Sequence, residues 1–129
     1  RNMKKIITTV IAVGLLLTGC SASSSATNLD SKAFSNKIAE PGVVILDVRT
    51  AGEFAAGHIE GAINIDVEGM QFDSGIADLD KSATYAVYCQ SGRRSGIAVD
   101  KMSKAGFTSL FNLQSGIADW QANGFPVTL

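Results

Sequence analysis

A run of β-branched and aromatic residues, Thr84-Tyr85-Ala86-Val87-Tyr88, stops on a cysteine, and a glycine-containing cationic segment, Gln90-Ser91-Gly92-Arg93-Arg94-Ser95, follows at once. The first run has the composition of a buried strand. Gly96-Ile97-Ala98-Val99-Asp100-Lys101-Met102 then carries apolar residues at helical spacing, so Cys89 falls between the end of a strand and the start of a helix. Backbone N–H groups in such a loop and first helical turn have no intrahelical partners, and they point at any anion carried on the sulfur. The helix dipole adds partial positive charge in the same place. With Arg93 and Arg94 beside it, the Cys89 thiol is expected to titrate below its reference value of about 8.5 and to work as a thiolate near neutral pH. An inert core cysteine is the commoner fate of a thiol after an apolar run. Two arginines and a glycine turn have no packing purpose there, so the reactive reading accounts for more of the sequence.

From Leu29 onward the pattern alternates between helical and strand periods. Asp30 or Ser31 can cap a helix through Ala33, Phe34, Ile38 and Ala39 that Pro41-Gly42 stops. Val43-Val44-Ile45-Leu46 is a continuous apolar run, short enough for a strand buried on both faces. A short helical stretch around Glu53-Phe54-Ala55-Ala56 ends at Gly57, and Ala62-Ile63-Asn64-Ile65 reads as another strand. Residues 68–79 are ambiguous, part loop and part short helix. Ser109-Leu110-Phe111-Asn112-Leu113 is the last strand and Ile117 to Ala122 the last helix. This alternation predicts an α/β fold: one domain over 29–129, a mostly parallel sheet with helices on both faces. In such sheets the reactive loop lies beyond the carboxyl end of a strand, where Cys89 is.

The first nineteen residues read as an address. Met3-Lys4-Lys5 is a basic start, Ile6 through Leu17 is an apolar stretch too short for an ordinary membrane helix, and Leu17-Thr18-Gly19-Cys20 follows. That tetrapeptide resembles the bacterial lipoprotein box. The resemblance implies cleavage before Cys20, a diacylglyceryl group on its thiol and acylation of the new amino terminus. At about 0.8 kcal/mol per buried methylene, several acyl chains hold a protein to a membrane far better than one. A cleaved secretory signal with Cys20 merely near the cut is the plainer alternative. Residues 20–28, with Ser21-Ala22-Ser23-Ser24-Ser25-Ala26-Thr27-Asn28 small, polar and without period, then form a tether. Ser21 after Cys20 resembles the outer-membrane sorting of two-membrane bacteria, and the expected location is the extracytoplasmic face of the cell envelope. Arg1 and Asn2 precede the expected initiator and are assigned no role.

The 129 residues are long enough for one ordinary domain, and an apolar fraction of 46% allows one buried core. A net charge of −1 and the lack of a basic stripe give no reason to expect nucleic acid. No His, Cys and Asp grouping has metal-ligand spacing, and no cofactor is expected.

Asp47-Val48-Arg49, then Glu53-Phe54, Gly57-His58-Ile59 and Gly61-Ala62-Ile63-Asn64-Ile65, resemble the first signature of the rhodanese-like sulfurtransferases. Cys89-Gln90-Ser91-Gly92-Arg93-Arg94-Ser95 is similar to their active-site loop, and Leu113-Gln114-Ser115-Gly116-Ile117 with Trp120, Gly124, Phe125 and Pro126 to their closing motif. Small, single-domain, exported members of the phage-shock type are the nearest match. Ser115 departs from the pattern, which usually has the first glycine of a pair there.

The resemblance implies that Cys89 attacks the sulfane sulfur of an anionic donor such as thiosulfate, becomes a persulfide, and passes the sulfur to a thiol or to cyanide. It implies that amides of Gln90 through Ser95 cradle the persulfide, that Gly92 permits the turn, and that Arg93 and Arg94 orient the donor. One of the two arginines is expected to be no more than a solvated cation. Asp47 and Arg49 are expected to position the loop, and His58 to bond the backbone beside its Gly57 turn rather than act as a base. For Glu53 a capping or ion-pair role suffices, and Trp120 with Phe125 and Pro126 should close the core.

Three other classes compete. A phosphatase or arsenate reductase of related architecture also uses a loop cysteine, but a tyrosine-phosphatase loop needs arginine six positions after it, where this chain has Ser95. A thiol–disulfide oxidoreductase needs a resolving cysteine, and none remains once Cys20 is lipidated. A non-catalytic, lipid-anchored binding module would ordinarily lack the loop cysteine.

Overall fold

The structure, a computed structural model, describes residues 26–129. Cys20, the lipoprotein box and the segment before it lie outside the described residues.

Five strands, β1 (Thr27–Leu29), β2 (Val43–Asp47), β3 (Ile63–Asn64), β4 (Thr84–Tyr88) and β5 (Ser109–Leu113), form one sheet in the order β1-β5-β4-β2-β3. Every pairing in it is parallel. Five helices intervene: α1 (Ser31–Ile38), α2 (Ala51–Ala56), α3 (Phe72–Ala77), α4 (Arg93–Lys104) and α5 (Gly116–Ala122). Side chains alternate across β4, and this alternation divides the core. Tyr85, Val87 and Cys89 face Phe72 and Ile76 of α3 and Ala98, Val99 and Met102 of α4. Ala86 and Tyr88 face Phe34 of α1 and Ile117 and Trp120 of α5. Helices therefore cover both faces, as the uninterrupted apolar runs of β2 and β4 require.

The second core is tied together by aromatic contacts. Phe34 meets Tyr88 and Trp120 edge-on, with ring centroids 6.3 and 6.0 Å apart, contacts worth about 0.5–1.5 kcal/mol each beyond area burial. Trp120 leans on Phe125 and donates its indole N–H to the Pro126 carbonyl at 2.8 Å, so the C-terminal segment closes this face as expected.

Local chemistry decides the element ends. Asp30, not Ser31, caps α1, its Oδ1 accepting from Ala33 N at 2.8 Å. Thr50 and Glu53 form a reciprocal capping box that starts α2. The ambiguous stretch resolves into a loop followed by α3.

Two expectations need correction. The tether was expected to run through Asn28, but Thr27 and Asn28 belong to β1, paired in register with Phe111 and Asn112 of β5. The Asn112 amide also donates to Asn28 Oδ1 at 3.0 Å. The second correction concerns α4, which begins at Arg93 rather than near Gly96. Gly92 takes the left-handed conformation, φ +104°, and completes the turn alone. Arg93, Arg94 and Ser95 are thus the first helical turn, and the loop proper spans only Cys89 to Gly92.

Candidate active site

Tyr88 is the last residue of the central strand, so Cys89 is delivered to the carboxyl edge of the sheet, at the point where the strand order turns back. The residue is fully buried. Its Sγ accepts a hydrogen bond from Gly92 N at 3.1 Å and lies 3.5 Å from Ser95 Oγ. Burial alone would push the thiol up. Hydrogen bonds from the Ser95 hydroxyl and from the amides of Ser95, Gly92 and Ser91 outweigh it and hold the thiol below its ordinary value.

Ser95 has a second partner, the Gly92 carbonyl, 3.2 Å from its Oγ. A hydroxyl has one proton to give. With a neutral thiol the Ser95 proton can go to Gly92 O while the S–H donates to Ser95 Oγ; with a thiolate the Ser95 proton turns to the sulfur. The site can exchange these two states without moving a heavy atom.

Close approach to a neighbouring turn holds the loop in shape. A Cβ at Gly92 would overlap the Gln114 carbonyl, and one at Gly116, φ +75°, would overlap the Gln90 carbonyl. Only glycine fits at either position. Ile117 N and Ala118 N then donate to the carbonyls of Cys89 and Gln90 at 2.9 and 3.1 Å, fastening α5 to the loop. Ser115 has φ −98°, ordinary for any side chain, so its departure from the usual pattern leaves this backbone undisturbed.

Beneath the loop lies a buried ion pair. Asp47 Oδ2 meets Arg49 Nη2 at 2.7 Å, and Asp47 Oδ1 accepts from both Arg49 N and Arg49 Nε. Arg49 then donates to Gly57 O at 2.7 Å and to Gln90 Oε1 at 3.3 Å. Burial would lower the guanidinium, and Asp47 more than compensates, so Arg49 stays charged. Tyr88 joins the cluster: burial first, and then the Asp47 charge, push its phenol up, and its oxygen accepts from Ile59 N at 3.0 Å. Asp47 and Arg49, expected to position the loop, pair directly with each other, and Arg49 reaches Gln90 of the loop.

His58 behaves as a structural residue. Its ring stacks on Phe54 with centroids 3.7 Å apart, Nδ1–H donates to Phe54 O at 2.8 Å, and its backbone bridges Thr128.

The two arginines are placed differently. Arg94 places Nη1 and Nη2 on the two oxygens of Glu53 at 2.7 and 2.9 Å, with its side chain 13% exposed. Arg93 is 66% exposed and reaches Glu68 at 3.2 Å. The donors that lower the Cys89 thiol are hydroxyl and amide groups, and each arginine already has a carboxylate partner. Arg94 nonetheless interacts electrostatically with Cys89, whereas Arg93 is the solvated cation of the pair. The hydrogen bonds from Arg94 hold the Glu53 carboxyl down at about 2. Sequence reasoning did not identify Glu68, Gln90 Oε1 or the Tyr88 hydroxyl as parts of this network. Only the Thr50-to-Glu53 capping spacing carried a local signal.

Among the described residues no group of three or more His, Cys, Asp or Glu could hold a metal ion. Two cavities among the described residues, one lined by Ile38, Ile59, Trp120 and Val127 and the other by Asp30, Lys32, Asp119 and Phe125, are lined by neither Cys89 nor its loop.

Comparison with known proteins places these features in context. Residues 30–123 match the rhodanese-like domain family. A protein described as a sulfurtransferase from Allochromatium vinosum is 29% identical over 100 residues, covering 77% of this chain and 92% of its own length. The thiosulfate sulfurtransferase PspE of Escherichia coli K12 is 37% identical over 67 residues, 52% of this chain and 64% of its own. Among solved structures, a rhodanese-related protein from Thermoplasma volcanium superposes with a TM-score of 0.70 at 29% identity, over 80% of this chain and 98% of that one.

Proposed function

The chain belongs to the rhodanese-like domain family, and on that premise we propose that it transfers sulfane sulfur from an anionic donor such as thiosulfate to a thiol acceptor through a persulfide on Cys89. The observation that carries this reading is the sulfur at the end of the central strand, held by loop amides and the Ser95 hydroxyl. In the first half-reaction the Cys89 thiolate attacks the outer sulfur of thiosulfate. The donor's S–S bond breaks, sulfite leaves with the bonding pair, and a cysteine persulfide anion remains. The amides that stabilise the thiolate then serve the persulfide. In the second half-reaction an acceptor thiolate, or cyanide in an assay, attacks the outer sulfur and returns Cys89 as thiolate. No step needs a general base, which fits a His58 committed to Phe54 O. Ser95, six positions after Cys89, gives the sulfur a hydroxyl where a tyrosine-phosphatase loop would need a guanidinium. Intact-mass measurement after thiosulfate treatment is expected to find one added sulfur atom, removed again by cyanide and absent from Cys89→Ser. Thiosulfate-treated protein with no added mass would defeat the proposal.

We further propose that the protein is a lipoprotein of the cell envelope, on the strength of Leu17-Thr18-Gly19-Cys20 behind a basic and apolar leader. Expressed from the full sequence in a bacterium that processes lipoproteins, it is expected in the membrane fraction, with Cys20→Ala released or stalled unprocessed. Soluble, unmodified mature protein from the unaltered gene would count against the anchor.

A further inference from the structure

Every attack on an anionic donor gathers negative charge in the Cys89 loop. The thiolate carries one charge and thiosulfate two, so a nearby cation decides how well a dianion is tolerated. Arg94 stands in the first turn of α4, between Gly92 and Ser95, which both contact Cys89 Sγ, and its charge interacts with that sulfur. Both its terminal nitrogens, however, are spent on the two oxygens of Glu53 in a fork-on-fork pair. Glu53 is itself fixed from the other side, since one of its oxygens accepts from the backbone N–H and hydroxyl of Thr50, both at 3.1 Å. An incoming anion therefore meets a neutralised pair rather than a free guanidinium. We propose that Glu53 sets the donor class of this site, holding Arg94 in an ion pair so that sulfane-sulfur donors of one negative charge or none are favoured over dianions.

This inference rests on the sulfurtransferase reading and adds a substrate class to it. The carboxylate stays ionised at every pH at which a thiolate enzyme works, because Arg94 holds it at about 2. Glu53 is specificity-determining through Arg94 and need not touch the donor. Glutamine suits the test, since its amide oxygen can keep the capping box with Thr50 and one hydrogen bond from Arg94 while removing the charge.

The experiment compares kcat/KM for thiosulfate, a dianion, with that for methanethiosulfonate, a monoanion that presents the same sulfane sulfur and releases methanesulfinate. Glu53→Gln is expected to raise the thiosulfate-to-methanethiosulfonate ratio about tenfold, with the gain shrinking as salt is added. Arg94→Ala, which leaves Glu53 without its cation, should move the ratio the opposite way. Partial unfolding would scale both donors equally and leave the ratio untouched, so the ratio reports charge and not stability. A ratio within twofold of the parent in both variants, or a fall in Glu53→Gln, overturns the assignment. Failure of every donor to form a Cys89 persulfide in the parent protein overturns the sulfurtransferase reading and this one with it.

Discussion

Cys89→Ser is expected to lower thiosulfate-to-cyanide sulfur transfer by at least about a thousandfold while changing unfolding free energy by no more than about 1 kcal/mol. The side chain is fully buried and nearly isosteric with serine. A serine hydroxyl can still accept from Gly92 N and bond Ser95, so the loop keeps its shape. What vanishes is the nucleophile: a hydroxyl would need a base, and the only imidazole in the chain already donates to Phe54 O. Steady-state kinetics and urea unfolding of the same preparation separate the two effects, and retained activity in a folded variant would remove Cys89 from the mechanism. In the parent protein, alkylation of Cys89 against pH should report a midpoint below the free-cysteine value of about 8.5. The sign follows from donors that favour the thiolate, so the proton leaves at lower pH. A midpoint at or above that value would mean that burial prevails over the loop.

Asp47→Ala is expected to cost about 3–5 kcal/mol in stability, a large share of the roughly 5–15 kcal/mol available to a domain of this size. The mutation removes the acceptor of Arg49 Nε, Arg49 Nη2 and the Arg49 backbone N–H, leaving a guanidinium that is 4% exposed without its counter-charge. Activity should fall further than stability alone predicts, because Arg49 also holds Gln90. Glu40→Ala, which removes the surface pair with Lys37, provides the contrast, with a change under about 1 kcal/mol. Chemical denaturation measures both. A loss below about 1 kcal/mol for Asp47→Ala would show that water reaches and solvates the guanidinium.

Strands β2 and β4 were legible because each is dominated by an apolar run, as a strand covered by helices on both faces must be. The same logic could not find β1. Thr27-Asn28-Leu29 has no apolar period of its own and is a strand only because β5, more than eighty residues away in sequence, offers it an edge. Cys89 was legible because composition changes abruptly around it, and α2 because a short helical stretch ends at Gly57, whereas the Thr50 cap that starts it was not identified. The fates of Arg93 and Arg94 were not. Their carboxylate partners lie 25 and 41 residues away, and the sequence shows two adjacent cations without showing which one is neutralised in a half-buried pair and which is left to solvent.

The parallel pairing of β1 has a practical side. Leu29 is level with Leu113, at the carboxyl edge near the reactive loop, while Thr27 lies two residues back toward the opposite edge. At about 3.3 Å per residue, Ala26, just before this outermost strand, sits roughly 10 Å behind the edge that carries Cys89. Whatever precedes Ala26, whether an acyl chain, a fusion partner or the linker to a solid support, joins the domain behind its catalytic mouth. An enzyme immobilised through its amino-terminal side should thus present Cys89 outward to dissolved substrates. Attachment after Leu129 is less favourable, because Thr128 is bridged to His58 beside the Gly57 carbonyl that anchors Arg49.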